Sequence, residues 1–314
     1  MALRFIVRIC TNMKYISLFA GIGGFDLALN RCGHECVFAN EWDKYAATIY
    51  RRNIGELNTS DIRLVRAYDI PNHELLVGGF PCQAFSVAGK RAGFSDTRGT
   101  LFFEIARILE NKRPRYFLLE NVRGLLSHDG GKTFQTIIRV LSELGYDLQW
   151  QILNSKYFGV PQNRERIFII GSIRGSTRPQ VFPILRSDSD VDQGNKEGAN
   201  RVADTITTRY AGRNGRGTHI AIQDVRGIKK NQNGKGYKEA EETYTIDTLS
   251  TQGILADQMI RRLTPLECER LQGFPDGWTE GVSDSQRYKC LGNAVTVNVV
   301  EYLIKQIDKS VNNH

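Results

Sequence analysis

The chain has 314 residues and a formal net charge of +8 at pH 7, long enough to bury a core without disulfides and basic enough to favour a polyanionic partner without proving one. Six cysteines with no CxxC pair and no secretory signal fit a reducing cytoplasm better than secretion, and their spacing offers no zinc site. No run of eighteen apolar residues is present, so no membrane-spanning segment is expected.

Residues 1–13 read as a short N-terminal extension, or as a start assigned upstream of the second methionine, Met13. From Lys14 onward, short apolar runs at 15–20, 35–41, 74–80, 116–122, 148–154 and 166–173 predict strands. Between them, Leu101, Phe102, Ile105, Ile108 and Leu109 fall on one helical face, as do Phe134, Ile137, Ile138, Leu141 and Leu144 ahead of a stop at Gly145. This alternation predicts an α/β fold with a doubly wound, mostly parallel sheet. Ligands in such sheets sit at the carboxyl ends of the strands.

The loop after the first strand, FAGIGGFDLAL, carries Gly21, Gly23 and Gly24, and Glu41 lies at the end of the second strand. That is a nucleoside-cofactor layout: glycine lets a ligand approach backbone, and a carboxylate can accept bonds from both ribose hydroxyls. The GxGG spacing alone is a weak signal, since glycine turns also serve as plain loops. Trp42 suits an adenine face, and Asp61 with Ile62 suits its amine and ring. Each has an ordinary alternative, since a lone tryptophan is more often core and an aspartate after a serine is often a turn or helix cap. The third strand ends at GGFPCQAFS, which sets Cys82 just past a strand end on a proline-fixed backbone. A structural thiol normally sits inside an apolar element, so this placement favours a nucleophile. Glu120 ends the fourth strand, and a thiolate beside a protonated carboxyl suits attack on a ring whose nitrogen receives the proton.

Between Arg174 and Arg262 the chain is rich in arginine and lysine set among Gly, Asn, Thr and Gln. Composition leaves a solvated insert and a nucleic-acid surface equally open there. Further on, Thr264, Pro265 and Glu267 form a capping-box signature, and NAVTVNVVEYLIKQI predicts a C-terminal helix returning to the large domain.

Taken together, FAGIGG, GFPCQAFS, ENVRGL, QNRERIFIIG, RRLTPLECERLQGFP and LGNAVTVNVV closely resemble, in order and spacing, the motifs of bacterial DNA (cytosine-5) methyltransferases of restriction-modification systems. The resemblance covers about residues 15–174 and 260–305. It implies a Rossmann-like S-adenosylmethionine-dependent catalytic domain at 14–174 and 285–310, split by a smaller target-recognition domain at 175–284 whose variable part is about 175–259. It also implies that Cys82 attacks carbon 6 of a flipped cytosine and that Glu120 bonds ring nitrogen 3 and the amine. Arg164 then contacts the base carbonyl, and Arg166 supports Cys82 and Glu120. Phe19, Gly21, Gly23, Glu41, Trp42, Asp61, Ile62, Pro81, Leu101 and Asn293 are the implied cofactor positions.

SVAGKRAGFSDTRG resembles the family loop that closes over bound DNA, with Ser86, Lys90, Arg91 and Arg98 in reach of phosphates. In the recognition domain either Thr205-Ile206 or Thr248-Leu249 fits the family's pair beside the flipped base. Arg209, Arg213 and Gln252 suit base edges or, for the arginines, phosphates equally well. The implied partner is double-stranded DNA, with a cognate restriction endonuclease in the same system that the enzyme need not touch. A cytoplasmic, nucleoid-associated monomer without metal is expected. Two alternatives are a tRNA-methylating relative, disfavoured by PCQ, and a catalytically silent DNA-binding relative, disfavoured by intact Cys82, Glu120, Arg164 and Arg166.

Overall fold

The computed structural model describes residues 12–81, 101–184 and 259–312, with short strands at 220–222, 239–240, 243–244 and 253–256. In chain order, β1 (Lys14–Leu18), α1 (Gly24–Arg31), β2 (Glu35–Asn40), α2 (Lys44–Asn53) and β3 (Leu75–Gly79) form the first half of the sheet and its helices. After them come α3 (Leu101–Lys112), β4 (Tyr116–Val122), α4 (Lys132–Glu143), β5 (Tyr146–Asn154), β6 (Gln162–Asn163) and β7 (Glu165–Ile173).

Six of these strands make one sheet in the order β2-β1-β3-β4-β7-β5. The pairs β1 with β2, β1 with β3 and β3 with β4 are parallel, while β7 runs antiparallel to both β4 and β5. The expected mostly parallel sheet is therefore present with one reversed strand. The cause is local, because the connection from Asn154 to Glu165 is too short for a crossover helix and β5 must be followed by an antiparallel partner.

Alternate strand residues feed two cores. Tyr15, Leu75, Val77, Tyr116, Leu118, Phe168 and Ile170 face α1 and the C-terminal helices. Ile16, Leu18, Leu76, Phe117, Leu119, Ile167 and Ile169 face α3 and α4. This is the period-2 alternation of a sheet covered on both faces. Gly171 of β7 pairs across the sheet with Phe117, and a Cβ there would lie 2.1 and 2.2 Å from ring atoms of Phe117. Gly171→Ala is thus expected to cost about 1–3 kcal/mol through overpacking, read as a lower urea midpoint.

The basic region contributes β8 (Ile220–Ile222), β9 (Glu239–Ala240), β10 (Thr243–Tyr244), β11 (Gly253–Ala256) and β12 (Met259–Arg262). Four of them form an antiparallel sheet, β12-β11-β8-β9, and β10 pairs in parallel with β6. Then follow α5 (Pro265–Leu271), α6 (Asp284–Asn293) and α7 (Val297–Asn312). The capping box is formed: Thr264 Oγ1 accepts the Glu267 N–H at 3.3 Å, and Glu267 Oε2 accepts the Thr264 N–H at 2.7 Å. Helix α7 packs in the same core as α1, with Arg31 paired to Glu301 at 3.3 Å.

Two stretches near the expected boundaries share this packing. Leu263, Leu271, Phe274 and Trp278 lie in the core beneath α1, and Trp278 Nε1 donates to the Ile22 carbonyl at 2.8 Å, so residues ahead of 285 already belong to the large body. Met13 is buried, and its N–H donates to His34 Nδ1 at 3.2 Å, so it packs with that body. Among the described residues, no helix is long and apolar enough to cross a membrane.

Candidate active site

The carboxyl ends of β1, β2, β3 and β4 open onto one cavity of about 500 Å³, closed on the far side by the end of α6. Phe19, Gly21, Ile22, Glu41, Trp42, Pro81, Leu101, Glu120, Arg164, Arg166 and Asn293 all line it. Beside it a smaller cleft of about 110 Å³ is lined by Phe19, Asn40, Trp42, Asp61, Ile62, Arg63 and Leu101, three of them shared with the larger cavity.

At the first loop, Phe19 and Gly21 both adopt left-handed backbone (φ +55° and +57°), a conformation that is costly for phenylalanine and is stored at the loop that faces the cavity. The nearest atom to a Cβ on Gly21 would be 4.0 Å away, so this backbone is open to a ligand. Gly23 behaves differently. A Cβ there would meet Ile54 at 2.9 Å and Tyr50 at 3.4 Å, and the residue does not line the cavity. Its lack of a side chain serves packing at the start of α1.

Glu41 is 9% exposed, with Oε2 accepting the Gly21 N–H at 2.9 Å and Oε1 accepting the Asp43 N–H at 2.8 Å. Burial raises its pKa, while those backbone donors favour the charged form. Trp42 is 69% exposed, a bare aromatic face beside that carboxylate. Asp61 caps the turn that follows it and pairs with Arg63, which holds its carboxyl below the usual range. Arg107 of α3 holds the same turn, donating to the Ile62 and Val65 carbonyls at 3.1 and 2.9 Å.

At the other end of the cavity the ends of β3 and β4 are tied together by Asn121, whose Nδ2 donates to the Phe80 carbonyl at 2.8 Å. Glu120 Oε1 pairs with Arg166 Nε at 3.0 Å, and Oε2 lies 3.1 Å from where a Gly79 Cβ would be. That glycine thus makes room for the acid. Burial pushes the Glu120 carboxyl up, against the pull of Arg166 and Arg164. Arg164 is 2% exposed, and its Nη2 donates to the Gly292 and Ala294 carbonyls at 3.0 and 2.7 Å. Burial pulls its pKa down to about 9, which leaves it charged at neutral pH. Its Nη2 is thus held by carbonyls of the C-terminal segment.

The residues that sequence reasoning missed include Ile22, Asp43, Asn121, Lys289 and Gly292, all in the cavity wall. Asp43 caps α2 and pairs with Lys289 of α6 at 2.8 Å. The WDK run carried the capping signal, but nothing local announced the lysine 246 positions away. Cys82, Ser86, Lys90, Arg91, Arg98, Thr205, Arg209, Arg213, Thr248 and Gln252 lie outside the described residues.

The residues present suit S-adenosylmethionine. An uncovered indole fits an adenine, a buried carboxylate held by backbone donors fits a ribose diol, and Gly21 leaves backbone open beside them. Fold and site together define an S-adenosylmethionine-dependent methyltransferase. Residues 13–309 match the family described as C-5 cytosine-specific DNA methylase, and the chain belongs to that family. It is 39% identical over 324 residues to the type II methyltransferase M.HhaI of Haemophilus parahaemolyticus, covering 96% of each chain. It is 37% identical to the type II methyltransferase M.HpaII of Haemophilus parainfluenzae, covering 96% of this chain and 91% of that one. Among solved structures, that of S. pombe Dnmt2 methyltransferase shares the fold at a TM-score of 0.67 and 23% identity, over 96% of this chain and 99% of that one. The chain is a DNA cytosine-5 methyltransferase of restriction-modification type, using S-adenosylmethionine on double-stranded DNA.

Stacking on an exposed aromatic contributes about 1–3 kcal/mol, so Trp42→Ala is expected to weaken cofactor binding by about tenfold or more. Isothermal titration with S-adenosylhomocysteine reads this directly.

Proposed function

We propose that the Glu120 end of the cavity receives a cytosine flipped out of duplex DNA, while the Glu41–Trp42 end and the smaller cleft hold the cofactor. The observation that carries this reading is the Glu120–Arg166 pair, buried in the wall of the same cavity that Glu41 and Trp42 line. A stacked base cannot admit reagents to both faces of its ring, so it must leave the helix.

In this reading Cys82 adds to carbon 6 and Glu120 donates its proton to ring nitrogen 3, which places electron density on carbon 5. Bound S-adenosylmethionine supplies the electrophilic methyl group. Loss of the carbon 5 proton to water then expels the Cys82 thiolate and restores the aromatic ring, and the nitrogen 3 proton returns to Glu120. Arg166 orients Glu120, and its positive charge favours the thiolate form of Cys82. Phe19, Gly21, Gly23, Glu41, Trp42, Asp61, Ile62, Pro81, Leu101 and Asn293 contact the cofactor.

The recognition domain is read as about 185–262, because Val181, Phe182 and the chain from Leu263 onward pack in the large core. It supplies the sequence-reading residues, with Thr205 or Thr248 beside the flipped base, while Ser86, Lys90, Arg91 and Arg98 reach phosphates. The enzyme acts as a monomer, associates with the nucleoid through DNA, and protects host DNA from a cognate endonuclease without touching it.

Transfer of labelled methyl groups to unmethylated bacterial DNA and, separately, to tRNA tests the reading. 5-Methylcytosine confined to one short DNA context is expected, and label in tRNA alone would overturn it.

A further inference from the structure

Arg164 and Arg166 stand two positions apart on one extended stretch, yet their guanidinium groups serve different partners. Arg166 holds the carboxylate of Glu120. Arg164, buried, donates from one nitrogen to the carbonyls of Gly292 and Ala294, the residues on either side of Asn293. All three residues of that turn line the cavity, and Asn293 itself is exposed at its wall. The turn has further supports nearby. Ser155 Oγ donates to the Arg164 carbonyl at 3.1 Å, Thr296 Oγ1 lies 2.8 Å from Gln272 Oε1, and Gln272 Nε2 donates to the Leu291 carbonyl at 2.9 Å.

The geometry points to Arg164 as a positioning residue for the cofactor: it clamps the 292–294 turn and so sets Asn293 against bound S-adenosylmethionine, joining the cofactor wall to the strand that carries Arg166. The physical case rests on the carbonyls. Two backbone acceptors facing a buried site need a donor, and a charged guanidinium with several fixed N–H groups satisfies both at once. An ammonium is a compact point charge on a flexible stem and does not reproduce that fixed arrangement. A clamp of this kind acts before any base arrives. Its loss should therefore appear in cofactor affinity without DNA, whereas a contact to the base carbonyl would appear only with DNA present.

This inference rests on reading the cavity as the cofactor site, and Trp42→Ala tests that reading separately. S-adenosylhomocysteine is titrated calorimetrically, without DNA, into wild type, Trp42→Ala, Arg164→Lys, Asn293→Ala and the Arg164→Lys/Asn293→Ala double variant. Circular dichroism melts check that each is folded. About a tenfold weaker Kd is expected for Arg164→Lys, with little further loss when it is added to Asn293→Ala, the coupling of residues acting through one turn. Unchanged affinity in Arg164→Lys, or fully additive losses, would overturn the inference. Unchanged affinity in Trp42→Ala would instead sink the assignment of the cavity. Should Arg164→Lys fail to fold, hydrogen exchange on wild type decides. S-adenosylhomocysteine should increase protection at 292–296 and 162–166 together, and protection confined to 292–296 contradicts the clamp.

Discussion

Cys82→Ser is expected to lose about 10⁴-fold or more in turnover, the scale seen when a covalent nucleophile is removed, while duplex DNA and S-adenosylhomocysteine still bind. A serine hydroxyl is not ionised to a useful degree near neutral pH, whereas a thiolate is populated beside a cation. Single-turnover methyl transfer with saturating DNA separates the two effects. A folded Cys82→Ser protein that methylates at the wild-type rate removes Cys82 from the mechanism.

Glu120→Gln is the second large effect. The change preserves shape and removes the proton, so kcat should fall by about 10²–10⁴-fold, the usual contribution of a positioned acid. The pH dependence follows from the direction of its shift. Burial raises the Glu120 pKa, so the protonated acid persists to higher pH than for a surface glutamate and is lost as pH rises through the folded-state value. Formation of the Cys82 thiolate moves the other way, increasing with pH. The wild-type single-turnover rate should therefore trace a bell whose alkaline limb belongs to Glu120. In Glu120→Gln the residual rate should lack that limb, because an amide does not titrate. An alkaline fall of the same shape in the variant would assign it to another group.

Much of this architecture was legible because its determinants are local. Strand runs, amphipathic helices and the Thr264 capping box depend on neighbours within a few positions, and each formed close to where the pattern set it. Glu120 and the glycine loop were legible for a related reason, since the strands of a parallel sheet deliver their carboxyl ends to one edge. What escaped depends on distant pairing. Nothing near Arg164 indicates that its partners are two carbonyls 128 and 130 residues away. Asp43 similarly gave no sign of Lys289. The packing of Gly23 was not legible, because a glycine in a ligand loop and a glycine under packed side chains look alike in sequence. Phe274 and Trp278 fall inside the expected recognition domain because nothing in their local sequence announces that they pack beneath α1.

The claim that Cys82 bonds the cytosine is tested most directly with duplex DNA in which cytosine is replaced by 5-fluorocytosine. Fluorine cannot leave carbon 5 as a proton does, so the methylated adduct should not resolve. With S-adenosylmethionine present, the DNA should become covalently attached to the protein, and mass spectrometry of the digested complex should find the methylated base on the Cys82 peptide alone. The same DNA carrying ordinary cytosine should be methylated and released. Attachment at another residue, or methylation of the ordinary DNA with no adduct on the fluorinated one, would contradict the account.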